Sequence, residues 1–337
     1  MVIAACSVVV TLGAQSPSKS GPSDSLHVCH AGSLLAAFTQ VEDEVRKQKP
    51  DLKVVDTSGG SVDLVRRFAA GRLECDVIAP ADHLVIETML KPAKLVDYTI
   101  VFATGRMVLA YVATDPKTTA MKVSGSFNPP MSVPQVNPGW HEVLTASGVR
   151  VNGAHPFMDP GGYRAHMIFE LAQSHYNQPG LYNSLLQHYQ VNVADPSAAT
   201  PAPVMGKDFN FQFTYEHTAA AAAKRDSSYR YAMLPEEIDL SSSKQDLYPS
   251  GVTIPGLGTQ GSMASVTIPA SPVAWGVTIP RNARNRDNAV AFLERLLGPS
   301  GRTALTTNGP TPLPRARASR SDYQRLPEAL QALTSAN

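Results

Sequence analysis

The chain has 337 residues, 43 % of them hydrophobic and 17 % charged, and a formal net charge of +1. That length and apolar content suit a globular protein of two ordinary domains. The near-zero charge argues against a nucleic-acid or membrane-surface binder. An anionic ligand would therefore have to be held by local dipoles and hydrogen bonds rather than by a whole-molecule field.

Residues 3–14 form an apolar run of signal-peptide length, too short to span a bilayer and with no Lys or Arg before it. Ile3-Ala4-Ala5-Cys6 has the look of a lipoprotein cleavage box, and residues 16–25 read as a disordered tether. Export is expected, either with simple cleavage or with a lipid on Cys6. Three cysteines are too few for a disulfide framework, and no C-x-x-C pair suggests zinc or redox chemistry. Cys29 and Cys75 sit in apolar, strand-like runs, where free cysteine behaves as a small buried hydrophobe. A bridge between them is the alternative if those strands are neighbours.

Residues 26–29 predict a short strand, after which Leu34, Phe38, Val41 and Val45 recur at helical spacing up to Pro50. Residues 52–55 predict a second strand, leading to Ser61 and a helix with Val62, Val65, Phe68 and Ala69 on one face, ended by Gly71. Residues 75–79 predict a third strand. Strands alternating with helices at about 25-residue spacing imply α/β architecture, with a parallel sheet covered on both faces. Residues 106–111 are extended and precede a Pro- and Ser-rich stretch, 115–138, a plausible crossing into a second lobe. Asp159 is a favoured N-cap and Pro160 a favoured first residue for a helix whose apolar face holds Ile168, Leu171 and Ala172. Residues 195–207 read as a surface insertion, 209–215 as a strand and 219–224 as a strong helix former. A second crossing is expected between 262 and 279, where 266–268 and 275–279 are strand-like. A helix follows over 288–297, then a Pro-rich stretch at 309–314 and a terminal helix near 326–333.

Four strand-to-helix junctions place small or anion-friendly groups where a helix begins: His30-Ala31-Gly32-Ser33, Ser58-Gly59-Gly60-Ser61, Asp159-Pro160-Gly161-Gly162 and Tyr215-Glu216-His217-Thr218. A helix N-terminus carries unpaired N–H groups and roughly half a positive charge. Several such junctions without a nucleotide fingerprint point to a small oxyanion held by backbone and hydroxyl donors.

These junctions and their surroundings resemble the tungstate/molybdate-binding periplasmic proteins of ABC importers, the archaeal-type branch found also in bacteria. The matching stretches are HAGSL (30–34), SGGSVDLVRR (58–67), CDVIAPAD (75–82), DPGGYRAHMIFELAQSHY (159–176), FTYEH (213–217), YAMLPEEIDL (231–240) and WGVTIPRNA (275–283). FLERLLGPSGRTALTTNGPTPL (292–313) resembles the closing helix and tail of many solute-binding proteins. The resemblance covers most of residues 26–315, and DPGGYR and LPEEI are its specific parts.

The resemblance implies a two-lobed periplasmic-binding fold of class II type, each lobe a mainly parallel sheet flanked by helices, with one oxyanion in the interlobe cleft. It implies a truncated signal or anchor segment and disordered tether over 1–25, a first lobe from 26–108 and 266–337, and a second lobe from 109–265. Matched position by position, the oxyanion would touch Gly32, Ser33, Ser61, Asp159, Pro160, Gly161, Glu216 and Tyr231. Asp159 and Glu216 would be direct ligands of the tungsten or molybdenum centre. The chain departs from the pattern at His217, where an aromatic would be commoner, in its polyalanine run, and in the 195–207 insertion. The resemblance further implies no catalysis and no cofactor, a membrane permease of an ABC importer as partner, a monomer, no nucleic acid, and a periplasmic or extracytoplasmic location.

Charge favours the same ligand class. At an effective dielectric near 20, two unit charges about 4 Å apart interact by about 4 kcal/mol, so two carboxylates would repel sulfate. A large d0 metal centre can accept extra oxygen ligands and turn that repulsion into bonding. The plainer readings make Ser33, Ser61 and Asp159 simple helix caps, Glu216 a solvated acid and Tyr231 a half-buried strand aromatic. Binding of another oxyanion such as sulfate is the nearest alternative. His30, His155 and His217 with the two acids could instead hold a metal cation, although the spacing matches no zinc motif. A hydrolase built on Ser33 and His30 lacks a G-x-S-x-G elbow, and neither a Walker motif nor H-E-x-x-H is present.

Overall fold

The computed structural model describes residues 25–192, 203–248, 251–254 and 266–337. Cys6, the signal-like run and residues 195–202 of the insertion lie outside the described residues.

In chain order the first elements are β1 (Ser25–Ala31), a 3-10 turn (Gly32–Leu34), α1 (Leu35–Gln48), β2 (Lys53–Gly59), α2 (Ser61–Ala69), β3 (Val77–Ala79), the short α3 (His83–Val85) and β4 (Ile100–Thr104). Then come β5 (Met107–Val112), β6 (Val123–Ser124), β7 (Gln135–Val136), α4 (Trp140–Leu144), β8 (Val151–Ala154), α5 (Pro160–His175), α6 (Leu181–His188) and β9 (Tyr189–Asn192). After them run β10 (Phe211–Tyr215), α7 (Glu216–Arg225), β11 (Tyr229–Met233), β12 (Val252–Ile254) and β13 (Val266–Ile268). The chain closes with β14 (Ala274–Val277), α8 (Arg286–Leu297), α9 (Pro299–Asn308), β15 (Thr311–Ala318) and β16 (Thr334–Ala336).

The strands divide between two lobes. In the first, β2-β1-β3 form a parallel sheet. Reciprocal backbone bonds of 3.0 Å between Ile78 and Thr278 join it to a second sheet of order β14-β4-β15-β16. The second lobe holds a seven-stranded sheet, β6-β7-β11-β5-β10-β8-β9, and β12 and β13 form a separate hairpin ladder.

The β2-β1-β3 sheet is parallel as expected, but the four-stranded and seven-stranded sheets are mixed, which corrects the expectation that each lobe is mainly parallel. β4 is antiparallel to both β14 and β15, and β5 is antiparallel to both β10 and β11. The cause is connectivity. β4 and β5 are consecutive, yet Gly105 and Arg106 between them lead from one lobe's sheet into the other's. A strand that arrives across the waist enters against the direction set by the local strand–helix–strand units, which alone require parallel pairing.

At that waist three segments run together: the Gly105 N–H donates to Val273 O (3.1 Å), the Val273 N–H to Leu240 O (2.8 Å) and the Met107 N–H to Asp239 O (2.8 Å). Packing follows the sequence pattern. α1 buries Ala37, Phe38, Val41 and Val45, and α2 buries Val62, Leu64, Val65 and Phe68. α5 is buried along most of its length, the position of a helix with protein on nearly every side.

Cys29 and Cys75 form a disulfide with Cα atoms 5.8 Å apart, so the pair is bridged rather than free. β1 and β3 are adjacent, with Cys29 in register with Ile78, and this adjacency is the condition the bridge needed.

Candidate functional site between the lobes

The four junctions all form, and they meet where the lobes touch. Gly60 is the N-cap of α2 and provides no side-chain cap, leaving the first N–H groups free for other partners. The other lobe takes them. Val62 and Asp63 N–H donate to Met158 O at 3.1 and 3.2 Å, and the Ser61 N–H faces the Asp159 carboxylate closely enough to lower its pKa. A Cβ on Gly60 would lie 2.5 Å from Met158 O, so glycine is what permits this approach. The Ser61 hydroxyl is buried and accepts the Ala81 N–H at 2.9 Å.

Asp159 caps α5: its backbone is extended and its Oδ1 accepts the Gly161 N–H at 2.7 Å. Pro160 follows as the first helical residue, where its missing N–H costs nothing. The N-termini of two helices, one per lobe, therefore meet at the adjacent Met158 carbonyl and Asp159 carboxylate. Burial pushes the Asp159 carboxyl up from its ordinary value, and the Gly161 N–H, Arg164 and the Ser61 N–H pull it back.

Arg164, one turn into α5, is 1 % exposed. It donates to Ala81 O (2.8 Å) and to the Tyr215 hydroxyl (2.7 Å), and its Nη2 lies 3.4 Å from Asp82 Oδ2. Burial works against its charge, but Tyr215, Asp82 and Tyr163 outweigh this and hold its pKa raised. The Tyr163 hydroxyl donates to Asp82 Oδ2 at 2.6 Å. Tyr163 and Arg164 thus clasp the 81–82 segment of the other lobe.

Ser33 lies in the 3-10 turn after β1. Its Oγ accepts the Trp275 indole N–H at 3.1 Å, and its carbonyl oxygen lies 2.9 Å from His217 Nε2. A carbonyl can only accept, so His217 carries its proton on Nε2. Its ring stacks on Tyr215 at 5.9 Å and meets Trp275 edge-on at 5.3 Å. Burial pushes its pKa down to about 4, and the Ser33 carbonyl opposes this.

The sequence-derived residues do not all share one environment. Ser61, Asp159, Pro160 and Gly161 sit in direct contact, and Ser33 joins them through His217, Tyr215 and Arg164. Gly32 is exposed in its turn, and a Cβ there would meet nothing. Glu216 opens α7 half-buried, 3.4 Å from Arg106 Nε; burial raises its pKa, Arg106 lowers it and Asp239 raises it. Tyr231 is 2 % exposed beneath α7, edge-on to Phe127 at 5.3 Å, and burial with the nearby Glu216 charge pushes its hydroxyl up to about 12. The three histidines considered for a metal have separate partners: His30 faces Asp56, His155 accepts the Phe157 N–H, and His217 holds Ser33.

Sequence reasoning did not single out Arg164, Tyr163, Asp82, Tyr215 or Trp275 as site residues, although each lies in a stretch that carried the resemblance. Their signal is a charged or aromatic residue inside an otherwise apolar element next to a junction.

The sequence pattern of the bacterial extracellular solute-binding protein family matches residues 26–310, and the chain belongs to that family. Its members are solute-binding proteins rather than enzymes. An uncharacterized solute-binding protein of Petrotoga mobilis is 30 % identical over 84 % of this chain and 82 % of its own length. The molybdate/tungstate-binding protein WtpA of Thermococcus kodakarensis is 27 % identical over 89 % of this chain and 85 % of its own. The sulfate-binding protein SubI of Mycobacterium tuberculosis shares the fold, with a TM-score of 0.58 at 13 % identity over 86 % of this chain and 87 % of its own. The family places the chain outside the cytoplasm, and no helix among the described residues is long and apolar enough to cross a membrane.

Proposed function

We propose that the protein captures tungstate or molybdate between its lobes and delivers it to the membrane permease of an ABC importer. The observation that carries this reading is the convergence of two helix N-termini, one from each lobe, on the adjacent Met158 carbonyl and Asp159 carboxylate. Such a convergence is a place for negative charge, and it depends on the lobes being closed. In this reading Ser33, Ser61, Gly32, Pro160 and Gly161 surround the oxyanion's oxygens, and Asp159 and Glu216 ligate its metal centre. Tyr231 stands behind Glu216. The charge of Arg164 offsets the second negative charge of the ion. Export through the N-terminal segment, with or without a lipid on Cys6, and function as a monomer belong to the same proposal, as does a division into two lobes. The sequence-derived bounds of 26–108 with 266–337 and 109–265 move to crossings at Gly105-Arg106 and near Val273, because β5 starts at Met107 and β13 pairs with β12.

The WtpA relatives support this ligand class, and the carboxylate chemistry separates it from sulfate. A dianion with no coordination chemistry meets two repelling acids, whereas tungsten and molybdenum can take their oxygens as ligands. Thermal melting with each ion tests it by ligand linkage. Tungstate and molybdate are expected to raise the melting temperature far more than sulfate or phosphate. Equal shifts with sulfate would overturn metal coordination and leave a hydroxyl-and-amide oxyanion site.

A further inference from the structure

On the α1 side of the first lobe, three side chains from three elements converge: His30 at the end of β1, Glu42 on α1 and Asp56 on β2. Their nearest ligand atoms all lie within 4.8 Å of one another. His30 is fully buried and Glu42 is 2 % exposed, whereas Asp56 is partly exposed on β2, the outer strand of its sheet.

A neutral His30 ring leaves this arrangement without a positive centre. His30 Nδ1 lies 2.8 Å from the Ala31 carbonyl, an acceptor, so Nδ1 carries a proton and a neutral ring presents a lone pair on Nε2. That Nε2 faces Asp56 Oδ1 at 2.7 Å, yet the two make no hydrogen bond of acceptable geometry. Glu42 gives Oε2 to Arg46 at 2.9 Å, while its Oε1 is buried with no hydrogen-bond partner. Burying an unpaired carboxylate oxygen beside a second carboxylate is costly. A lone pair and two carboxylate oxygens pointing at one another lack a positive centre.

We propose that His30 Nε2, Glu42 Oε1 and Asp56 Oδ1 bind a divalent first-row cation of the zinc type. One imidazole and two carboxylates suit zinc, cobalt or manganese, while calcium and magnesium prefer all-oxygen shells. The Nδ1–H bond to a backbone carbonyl is the outer support that ligating histidines usually have, fixing the tautomer that exposes Nε2. Metal–ligand bonds of about 2.0–2.2 Å put neighbouring tetrahedral ligand atoms roughly 3.3–3.5 Å apart, so Asp56 must draw back from His30 by under about 1 Å. Its place on an outer strand allows that movement and gives the ion a path from solvent. The site lies three residues before Ser33, so the ion would stiffen the β1–α1 turn without touching the interlobe ligand. The alternative occupant is a proton, which would make His30 an imidazolium paired with Asp56.

The full chain, stripped with chelator and free of oxyanion, is titrated with zinc chloride and followed by calorimetry and melting. One equivalent of zinc should bind and raise the melting temperature. Glu42→Gln and Asp56→Asn should each weaken zinc at least tenfold while the melting shift with tungstate persists. No binding at millimolar zinc, or equal binding by the double variant, would overturn the proposal and leave the ion pair. Should the variants fold poorly, cobalt on the unaltered chain decides. Visible bands of a four-coordinate nitrogen–oxygen site support it, and their absence at saturation rejects it. Because the readout is zinc or cobalt alone, failure here leaves the oxyanion reading standing, and the reverse holds.

Discussion

Asp159 has one observed task and one proposed task, and the two separate on mutation. As the cap of α5 it needs only an acceptor oxygen, and as the proposed ligand of the oxyanion's metal centre it would need charge. Asp159→Asn keeps an oxygen for the Gly161 N–H, so the fold should lose no more than about 1 kcal/mol, the scale of one cap. Tungstate affinity should fall at least tenfold in Asp159→Asn and in Glu216→Gln, whereas sulfate affinity should stay level or rise as repulsion is removed. Isothermal titration checks both, and a parallel loss for the two ions would mean that neither acid ligates. His217 gives a second expectation at this scale. In the closed form burial holds its pKa near 4, while in an open form the ring meets water and regains an ordinary value near 6.5. Between those values the open form binds a proton that the closed form does not. Closure is therefore fully favoured above about pH 6.5 and weakens as pH falls toward 4. Tungstate affinity should drop several-fold between about pH 7.5 and about pH 5, and less so in His217→Gln, whose amide can still donate to Ser33 O. The helix start at Asp159 and Gly161 was legible in the sequence because capping is local chemistry, whereas Ser61 does not cap α2 and its hydroxyl accepts the Ala81 N–H from 20 residues away. Arg164 and Trp275 were not, because their partners Ala81 and Ser33 lie 83 and 242 residues away in the chain.

Among the elements, the strand–helix alternation of the first lobe could be read from apolar spacing, and so could the start of α5 at Asp159-Pro160. Strand direction could not, since periodicity reports which face is buried and says nothing of which neighbour a strand meets. The C-terminal region shows another limit. The Pro-rich stretch read as a tail is the start of β15, which pairs with β4 through Thr311 and Pro312 and then only again at Arg317. Proline enters a sheet at such irregular register, where no ladder bond is asked of it. The expected terminal helix is reduced to one turn, Glu328–Gln331, before β16. The Cys29–Cys75 bridge ties β1 to the start of β3 and closes a loop of 46 residues, α2 included. In the chain-entropy account a loop of that length is worth about 4 kcal/mol, with native strain reducing it. Reduction, or the Cys29→Ala/Cys75→Ala pair of changes, should lower unfolding stability by roughly 2–4 kcal/mol in urea. An unchanged urea midpoint would show that α2 and its flanking strands are held by packing alone.

On the scale of the whole molecule, the lobes touch directly, and their contacts rank by burial. Val62 and Asp63 reach Met158 O, Arg66 donates to Phe157 O at 2.8 Å, and His217 reaches Ser33 O. Deepest are the bonds from Tyr163 to Asp82 and from Arg164 to Ala81 O, made by side chains that are 4 % and 1 % exposed. All of them are between lobes, so opening about the waist at Gly105, Leu240 and Val273 must break them together. They set how far the ligand-free protein already favours closure, and the ligand adds only its differential affinity for that state. Tyr163→Phe removes one buried bond and leaves the ring's packing, which makes it the cleanest probe of this balance. Small-angle scattering should give a larger radius of gyration for ligand-free Tyr163→Phe than for the unaltered protein, and the same compact value for both at saturating tungstate. Tungstate affinity should fall by the fraction of closed form lost, since a binding-competent state that is less populated lowers apparent affinity in proportion. A variant equally compact without ligand would show that the Tyr163 bond does not set the closure balance. A variant still expanded at saturation would place the ion in one lobe rather than between two.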